Sequence, residues 1–232
     1  MKTFLIIVSA LLMAASIPPG QAQAAHPQAA AAEVSGQVQL RNQKTQKLIP
    51  DAAGAVVWLV PVGTPEITPL SVPRKTYKMV QRNKHFYPRL LVVPLGSVVT
   101  FPNLDPWFHN VFSVYQGKRF DLGLYESGSE KGVTFNRLGA SYIFCNIHPE
   151  MMAVILTVNT PYYAISDRTG QWAILNVPSG RYRLHVWQEN ATPIALRDLE
   201  RDVAIGTGTT ILNVSTVLVT PNEWLEHRDL YG

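Results

Sequence analysis

The residues best suited to chemistry lie close together in the segment 145–151. Cys145, His148 and Met151 place a thiol, an imidazole and a thioether within seven residues. Thiolate and thioether sulfur atoms are ligands that copper prefers, and imidazole binds copper as well. Residues in a tight turn after a strand do not follow the strand's alternation, so all three side chains can point at one ion. The segment therefore predicts a copper site.

A second histidine upstream completes the ligand set. His109 follows the turn-forming residues 103–106 and lies in an apolar segment. Two imidazoles, one thiolate and a weak axial thioether are the ligands of a blue-copper electron-transfer centre. Zinc also binds Cys and His, but thioether ligation and the general order of metal affinities favour copper. Met152 follows Met151 directly, so the spacing leaves two candidates for the axial ligand.

The elements around these residues have the patterns of β-strands. Residues 34–40, 182–186 and 212–218 alternate apolar and polar side chains, which predicts half-buried strands. Residues 55–60 form a continuous apolar run, which is typical of a strand buried on both faces. No window predicts a helix of three turns, and Gly or Pro interrupts the chain every eight to twelve residues. This spacing indicates an all-β fold built as a sandwich.

The central part of the chain resembles the cupredoxins, and among them the amicyanin-type and plastocyanin-like proteins. The matching motifs are a Gly-containing turn and strand at 96–101, His-Asn-Val at 109–111 and Cys-x-x-His-x-x-Met at 145–151. The resemblance covers residues 72–158 and implies a Greek-key β-sandwich. It implies one type 1 copper ion bound by His109, Cys145, His148 and Met151.

The resemblance also implies roles for residues around the ligands. Asn110 is expected to tie the two ligand loops together by hydrogen bonds, which orient ligands and tune a metal. The apolar residues expected around the edge of His148 form a small patch for docking a redox partner, namely Phe108, Ile147, Pro149 and Met152. The spacing in amicyanin favours Met151 over Met152 as the axial ligand. Residues 118–137 are not part of a minimal cupredoxin, and the sequence assigns them no role.

The remainder of the chain is similar to the carboxypeptidase regulatory-like, transthyretin-like β-sandwich. Asp-x-x-Gly at 167–170 and Val-Pro-x-Gly-x-Tyr at 177–182 each precede a strand. Asp167 and Gly170 suit a tight turn, and Pro178 with Gly180 suits a reversal of the chain. The module's opening strand and Ala-Val-x-Leu element match the segments 34–40 and 51–59. The module is expected to be a binding domain or a spacer and not an enzyme.

These matches predict a cupredoxin inserted between the second and third strands of another sandwich. In the alternative, residues 34–60 pair with the cupredoxin strands in a single extended sandwich. The predicted division is a signal peptide 1–24, a leader 25–32, a discontinuous outer sandwich 33–65 and 159–220, a cupredoxin domain 66–158 and a C-terminal tail 221–232.

Composition and the amino terminus constrain the compartment and the function. Cys145 is the sole cysteine of 232 residues, which excludes an internal disulfide and a four-cysteine zinc cluster. Lys2, the apolar run 4–15 and Ala-Gln-Ala at 22–24 have the form of a secretory signal cleaved near Ala24. We therefore expect a periplasmic or secreted protein without stable membrane insertion.

The predicted function is single-electron transfer between periplasmic redox partners. The resemblance implies a dehydrogenase or a c-type cytochrome as the partner. The alternative is a copper-binding protein for storage, delivery or sensing without a redox partner. An enzyme is not expected, because no second cluster of histidines and no hydrolase or nucleotide-binding motif accompanies the site.

Charge excludes one class of partner and suggests another. Without residues 1–24 the chain has 19 basic and 16 acidic residues, a net charge of +3 that is too small to indicate nucleic-acid binding. One local run is basic and contains no acidic residue, namely Arg74, Lys75, Lys78, Arg82, Lys84 and Arg89. Such a run is either a solvated strand face or a surface that steers an acidic partner.

Overall fold

The computed structural model describes residues 31–63, 75–114 and 116–218. The predicted signal peptide 1–24, most of the leader and the tail 221–232 lie outside the described residues. The structure confirms the all-β prediction, because within the described part the one helix is the five-residue α1 (Pro193–Arg197). No helix in these ranges is long and apolar enough to cross a membrane.

Along the chain the strands are β1 (Ala31–Asn42), β2 (Val56–Pro61), β3 (Thr76–Lys78), β4 (Val80–Arg82), β5 (His85–Tyr87), β6 (Leu90–Pro94), β7 (Ser97–Pro102), β8 (His109–Ser113), β9 (Phe120–Tyr125), β10 (Glu130–Phe135), β11 (Gly139–Phe144), β12 (Met152–Val158), β13 (Tyr163–Ile165), β14 (Gln171–Pro178), β15 (Gly180–Trp187), β16 (Arg201–Ile205), β17 (Thr209–Ile211) and β18 (Val214–Leu218).

The first and last parts of the chain form one pair of sheets, which we call the flanking sandwich. One sheet has the order β14-β1-β17, with β18 also paired to β1, and the other has the order β13-β2-β15-β16. Alternate residues of these strands fill the space between the sheets, including Val34, Leu59, Trp172 and Leu184. The alternation predicted for 34–40 and 182–186 therefore corresponds to one face of β1 and one of β15.

Strand β2 is buried on both faces, as its continuous apolar run predicts. Val57 and Leu59 belong to the core of the flanking sandwich. Val56 and Trp58 point to the opposite face, where they pack against the middle part of the chain. A strand between two packed layers has no solvent-facing positions, so its sequence loses the polar alternation.

The middle of the chain forms a second pair of sheets, the central sandwich. The larger sheet has the order β6-β12-β11-β8-β9, the smaller has the order β10-β7-β3, and β4 and β5 form a separate hairpin. Phe101, Phe135, Ile143 and Ile155 are among the buried side chains of its core, which also contains Cys145. Residues 118–137, which have no role assigned from the sequence, supply β9 and β10.

The two sandwiches contact each other through an apolar layer. Val154, Leu156 and Val158 of β12 pack there against Val56 and the half-buried Trp187 of the flanking sandwich. At the border of this layer, the Arg89 guanidinium and the Glu189 carboxylate form two hydrogen bonds, at 2.6 and 3.0 Å.

Two expectations differ from the structure. The predicted leader 25–32 overlaps β1, which begins at Ala31, because pairing with β14 extends the strand beyond the alternating residues. The alternative of a single extended sandwich is wrong. Among the described residues, β1 pairs with β14, β17 and β18, while β2 pairs with β13 and β15.

Candidate metal centre

His109 is the first residue of β8 and is fully buried. The loop before it is fixed by Asn103, whose side-chain amide donates to the carbonyl of Trp107 at 2.7 Å. The Asn103 Oδ1 accepts the backbone N–H of Asp105 at 3.0 Å. These bonds satisfy backbone groups of the turn between β7 and β8, and they lead the chain into His109 at the end of the central sandwich.

Cys145 and His148 lie in the turn that connects β11 to β12. Cys145 is one residue beyond β11, and its backbone N–H donates to the carbonyl of Met151 at 3.3 Å. The Met151 N–H donates to the carbonyl of His148 at 2.9 Å, which closes the turn. Within this turn Cys145 is buried and His148 is partly exposed.

The side chains of His109, Cys145 and His148 converge, with one ligand atom of each within 4.8 Å of the others. The Cys145 Sγ lies 3.9 Å from Nδ1 of His109 and 3.8 Å from Nδ1 of His148. The two Nδ1 atoms are 3.1 Å apart. The structure thus brings together the three residues predicted as the main ligands.

This triangle of donor atoms fits one first-row transition metal. With metal–nitrogen bonds of about 2.05 Å and a metal–sulfur bond of about 2.3 Å, the three separations give angles that sum to roughly 350°. A sum near 360° is a trigonal plane, which is the His₂Cys arrangement typical of blue-copper centres. A tetrahedral zinc site would need a fourth strong ligand out of that plane.

The strand register distinguishes Met151 from Met152. Phe144 pairs with Met152 across β11 and β12, so the next pair in the hairpin is Cys145 with Met151. Directly opposed residues of antiparallel strands share a face, whereas successive residues alternate. Met151 is fully buried in the same core as Cys145. Met152 is half-buried on the other face of the sheet, so the register favours Met151 as the axial ligand.

A buried carboxylate, Asp105, holds the outer side of His109. The His109 Nε2–H donates to Asp105 Oδ2 at 2.9 Å, and both side chains are almost fully buried. A carboxylate only accepts hydrogen bonds, so the proton resides on Nε2 and the lone pair of Nδ1 faces Cys145. Carboxylates in this position orient the ring and increase the basicity of a ligand histidine.

Asp105 also accepts hydrogen bonds from the turn between β4 and β5. The backbone N–H of Asn83 donates to Oδ1 at 2.6 Å, and that of Lys84 donates to Oδ2 at 2.9 Å. Burial raises the pKa of Asp105, but the bonds from Lys84, His109 and Asn83 outweigh it and leave the pKa below its ordinary value. Asp105 is therefore a carboxylate at neutral pH.

His148 differs from His109 in exposure and in surroundings. Burial, followed by the charges of His109 and Lys84, lowers the pKa of His148 below its ordinary value. A neutral imidazole is the form that binds a metal, so less proton competition is expected at this position. The partly exposed ring is the point where the centre meets solvent.

Asn110 makes a different contact from the expected one. It is buried on β8, and its amide donates to Asp121 Oδ1 of β9 at 2.7 Å. Its Oδ1 is buried without a hydrogen-bond partner among the described residues. The contact seen here is thus with the neighbouring strand rather than with the Cys145 turn.

Exposed apolar residues adjoin the predicted ligand histidines in the chain, with Phe108 before His109 and Ile147 and Pro149 on either side of His148. Phe108 is 57% exposed and Ile147 is 46% exposed, and Pro149 is exposed as well. Trp107, which is 50% exposed, adds a large ring that the sequence reasoning did not include. Large side chains this exposed in a soluble protein usually mark an interaction surface when they adjoin one another.

Sequence reasoning missed Asp105, Trp107 and Lys84 as neighbours of the site. The available signal for Asp105 was a carboxylate four residues before a predicted ligand histidine. For Trp107 and Lys84 the local sequence carried no signal, because their proximity depends on the turn of β4–β5 packing on the loop 103–108.

Comparison with known proteins finds no matching family model and no matching curated protein. Solved structures do match. The solved structures to which this chain is similar include cupredoxins. A purple cupredoxin from Nitrosopumilus maritimus is 21% identical with a TM-score of 0.33, over 35% of this chain and 99% of that one.

Two further structures are similar over slightly more of the chain. A variant of amicyanin in its reduced Cu(I) form is 19% identical with a TM-score of 0.34, over 44% of this chain and 98% of that chain. A copper-containing nitrite reductase from Thermus scotoductus is 23% identical with a TM-score of 0.36. That match covers 44% of this chain and 25% of the reductase.

Proposed function

We propose that the protein is an exported copper protein that carries single electrons between redox partners. The observation that carries the proposal is the convergence of His109, Cys145 and His148 with the spacing of a trigonal metal site. Met151 is the proposed axial ligand, because the strand register puts it on the face of Cys145. Copper bound there would supply reversible one-electron chemistry between Cu(I) and Cu(II).

The residues of the site are suited to holding one geometry in both oxidation states. Cys145 and Met151 are buried in a packed core, and hydrogen bonds within the turn fix the backbone of both. Asp105 fixes the ring of His109 from outside. A ligand set that does not rearrange when the charge changes keeps the reorganisation small, which is what electron transfer requires.

The proposed entry and exit point for electrons is the edge of His148. In support, Ile147 and Pro149 flank His148 in the chain, Trp107 and Phe108 directly precede His109, and all four are exposed. A small apolar patch lets a partner approach closely and leave again, as transient redox complexes do. The proposed partners are a dehydrogenase or a c-type cytochrome in the periplasm, and we propose no catalytic reaction for the chain itself.

The flanking sandwich is proposed as a carboxypeptidase regulatory-like, transthyretin-like module into which the copper domain is inserted. In support, β2 and β13 are antiparallel neighbours although β3–β12 lie between them in the chain. The Asp167 turn has the compact form that its sequence suggests, because Oδ1 accepts the backbone N–H groups of Thr169 and Gln171. Its proposed role is binding or spacing.

Metal analysis with visible spectroscopy tests the proposed function. The copper-loaded protein is expected to contain one copper, to show an intense thiolate-to-copper band and to undergo reversible reduction. Cys145→Ser is expected to lose the band, since the thiolate is the source of the transition. His185→Gln is a matched control, because His185 pairs with Glu200 in the flanking sandwich.

Two outcomes contradict electron transfer in different ways. Retention of stoichiometric copper and an unchanged spectrum in the Cys145→Ser variant would overturn the whole site. A colourless protein that binds Cu(I) only would instead support storage, delivery or sensing. Met151→Leu is expected to shift the band and the reduction potential, whereas Met152→Leu is expected to leave both unchanged.

A further inference from the structure

The hairpin of β4 and β5 brings positive charge to the edge of the apolar surface around His148. Lys84 occupies the turn, and its Nζ lies 5.3 Å from the centroid of the exposed Trp107 ring. The turn is held in place by Asp105, which accepts the backbone N–H groups of Asn83 and Lys84. The cation is thus positioned by the same carboxylate that orients His109.

The structure separates the basic run into paired and unpaired cations. Lys78 lies 3.6 Å from a Glu130 carboxylate oxygen, and Arg89 is engaged with Glu189 of the flanking sandwich. No carboxylate of the described residues lies within ion-pair distance of Arg82 or Lys84. Lys75, just before β3, also has no such partner among the described residues, but Arg82 and Lys84 are the cations on the hairpin beside the loop 103–108.

Strand β4 places Arg82 next to the loop that carries Trp107. The carbonyl of Gln81 accepts the backbone N–H of Leu104 at 2.9 Å, so the end of β4 runs beside the residues 103–108. Arg82 is exposed, and Leu104 is 52% exposed. The exposed carboxylates at this end are Glu150, two residues beyond His148, and Glu126, directly after the Tyr125 that pairs with His109. The hairpin that packs on the loop 103–108 thus carries two cations, of which Lys84 contacts the Trp107 ring.

We propose that the docking surface around His148 selects an acidic electron-transfer partner, with Lys84 and Arg82 contacting carboxylates of that partner beside the apolar contact. This inference rests on the proposed function and adds the chemistry of the partner. Exposed cations beside an apolar centre raise the association rate of a complementary surface without making the complex long-lived. They also disfavour basic partners, because like charges at close range oppose docking.

Small redox complexes of opposite charge test the inference without a known partner. The probes are hexacyanoferrate(III), a trianion, and tris(phenanthroline)cobalt(III), a trication. In each reaction one electron leaves the reduced copper-loaded protein and reduces Fe(III) to Fe(II) or Co(III) to Co(II), and no proton moves. Stopped-flow absorbance at the copper band gives the second-order rate constants at low and high ionic strength.

The anionic probe is expected to react faster at low salt and to slow as salt screens the surface charge, and the cationic probe is expected to show no such slowing. Lys84→Glu and Arg82→Glu are each expected to lower the low-salt rate with the anionic probe several-fold, up to about tenfold. Glu150→Gln is expected to raise it. Lys47→Glu is the matched control, because it makes the same charge change at an exposed turn of the flanking sandwich.

Each outcome is decisive for one of the two proposals. If the protein reacts with both probes and Lys84→Glu behaves like Lys47→Glu, the acidic-partner inference fails while electron transfer stands. If the copper-loaded protein reacts with neither probe, the proposed function fails. Equal visible spectra of the variants and the wild type show that the copper site is intact. If Lys84→Glu does not fold, the rate constant of Arg82→Glu with the anionic probe provides the same test.

Discussion

At the scale of single residues, Asp105 connects the metal centre to the neighbouring hairpin. Its two oxygens accept the Nε2–H of His109 and two backbone N–H groups of the turn at Asn83 and Lys84. One carboxylate therefore orients a ligand and positions a surface cation. A buried charge is stable only when its hydrogen bonds are satisfied, and here three donors satisfy it.

Asp105→Asn is expected to weaken Cu(II) binding more than Cu(I) binding. Removing a negative charge beside His109 disfavours the more highly charged ion, and loss of such an outer partner typically costs about 10–100-fold in metal affinity. If the loss is tenfold larger for Cu(II), the reduction potential rises by about 59 mV. Competition titrations with chelators for each oxidation state and voltammetry measure the two effects.

Asp51→Asn is the control for this prediction, because it removes the same charge from an exposed ion pair with Arg168 in the flanking sandwich. It is expected to leave both affinities unchanged. A potential that is equal in the wild type and the Asp105→Asn variant would show that the carboxylate has no electrostatic effect on the metal, whatever the change in stability.

At the scale of elements, the sequence predicts long strands and ligand turns better than short strands. Burial determines which positions of β1, β15 and β2 are apolar. The residue types therefore show the alternation in β1 and β15 and the apolar run of β2. Strands β3, β4 and β5 have three residues each and exist because of their pairing partners, so no local period marks them. The spacing of Cys, His and Met along the sequence predicts the ligands. Asp105 and Lys84 become neighbours of the site only through the pairing of these short strands.

The turn of residues 167–170 offers a test of element geometry. Gly170 has a φ of +81°, and a Cβ there would lie 2.1 Å from the carbonyl oxygen of Val38. Gly170→Ala is expected to lower the free energy of unfolding by about 2–4 kcal/mol, because left-handed backbone strain adds to a backbone clash. Urea unfolding followed by tryptophan fluorescence measures the loss.

Gly208 supplies the matched comparison in the same sandwich. It also has a positive φ, of +93°, but a Cβ there would meet nothing within 4 Å. Gly208→Ala is expected to cost only about 1 kcal/mol, from backbone strain alone. Equal losses in the two variants would mean that the close approach of Val38 to residue 170 contributes nothing.

At the scale of the whole molecule, β12 belongs to two layers at once. Ala153 and Ile155 face the core that contains Cys145, while Val154 and Leu156 face the flanking sandwich. The bidentate pair of the exposed Arg89 and the half-buried Glu189 at the border of that layer contributes on the order of 1 kcal/mol, less than the burial of several apolar side chains. The apolar layer is therefore the main coupling between the two sandwiches.

Neighbouring residues of β12 separate this coupling from the copper site. Leu156→Ala and Ile155→Ala are each expected to cost about 2–5 kcal/mol, because each leaves a cavity at a buried position. Only Ile155→Ala is expected to change the copper absorption band, since Ile155 packs in the core of Cys145 and Met151. Leu156→Ala is instead expected to separate the unfolding of the two sandwiches into two calorimetric transitions, because it weakens the layer that makes them cooperate. A single transition together with a shifted band in Leu156→Ala would contradict the assignment of the two faces.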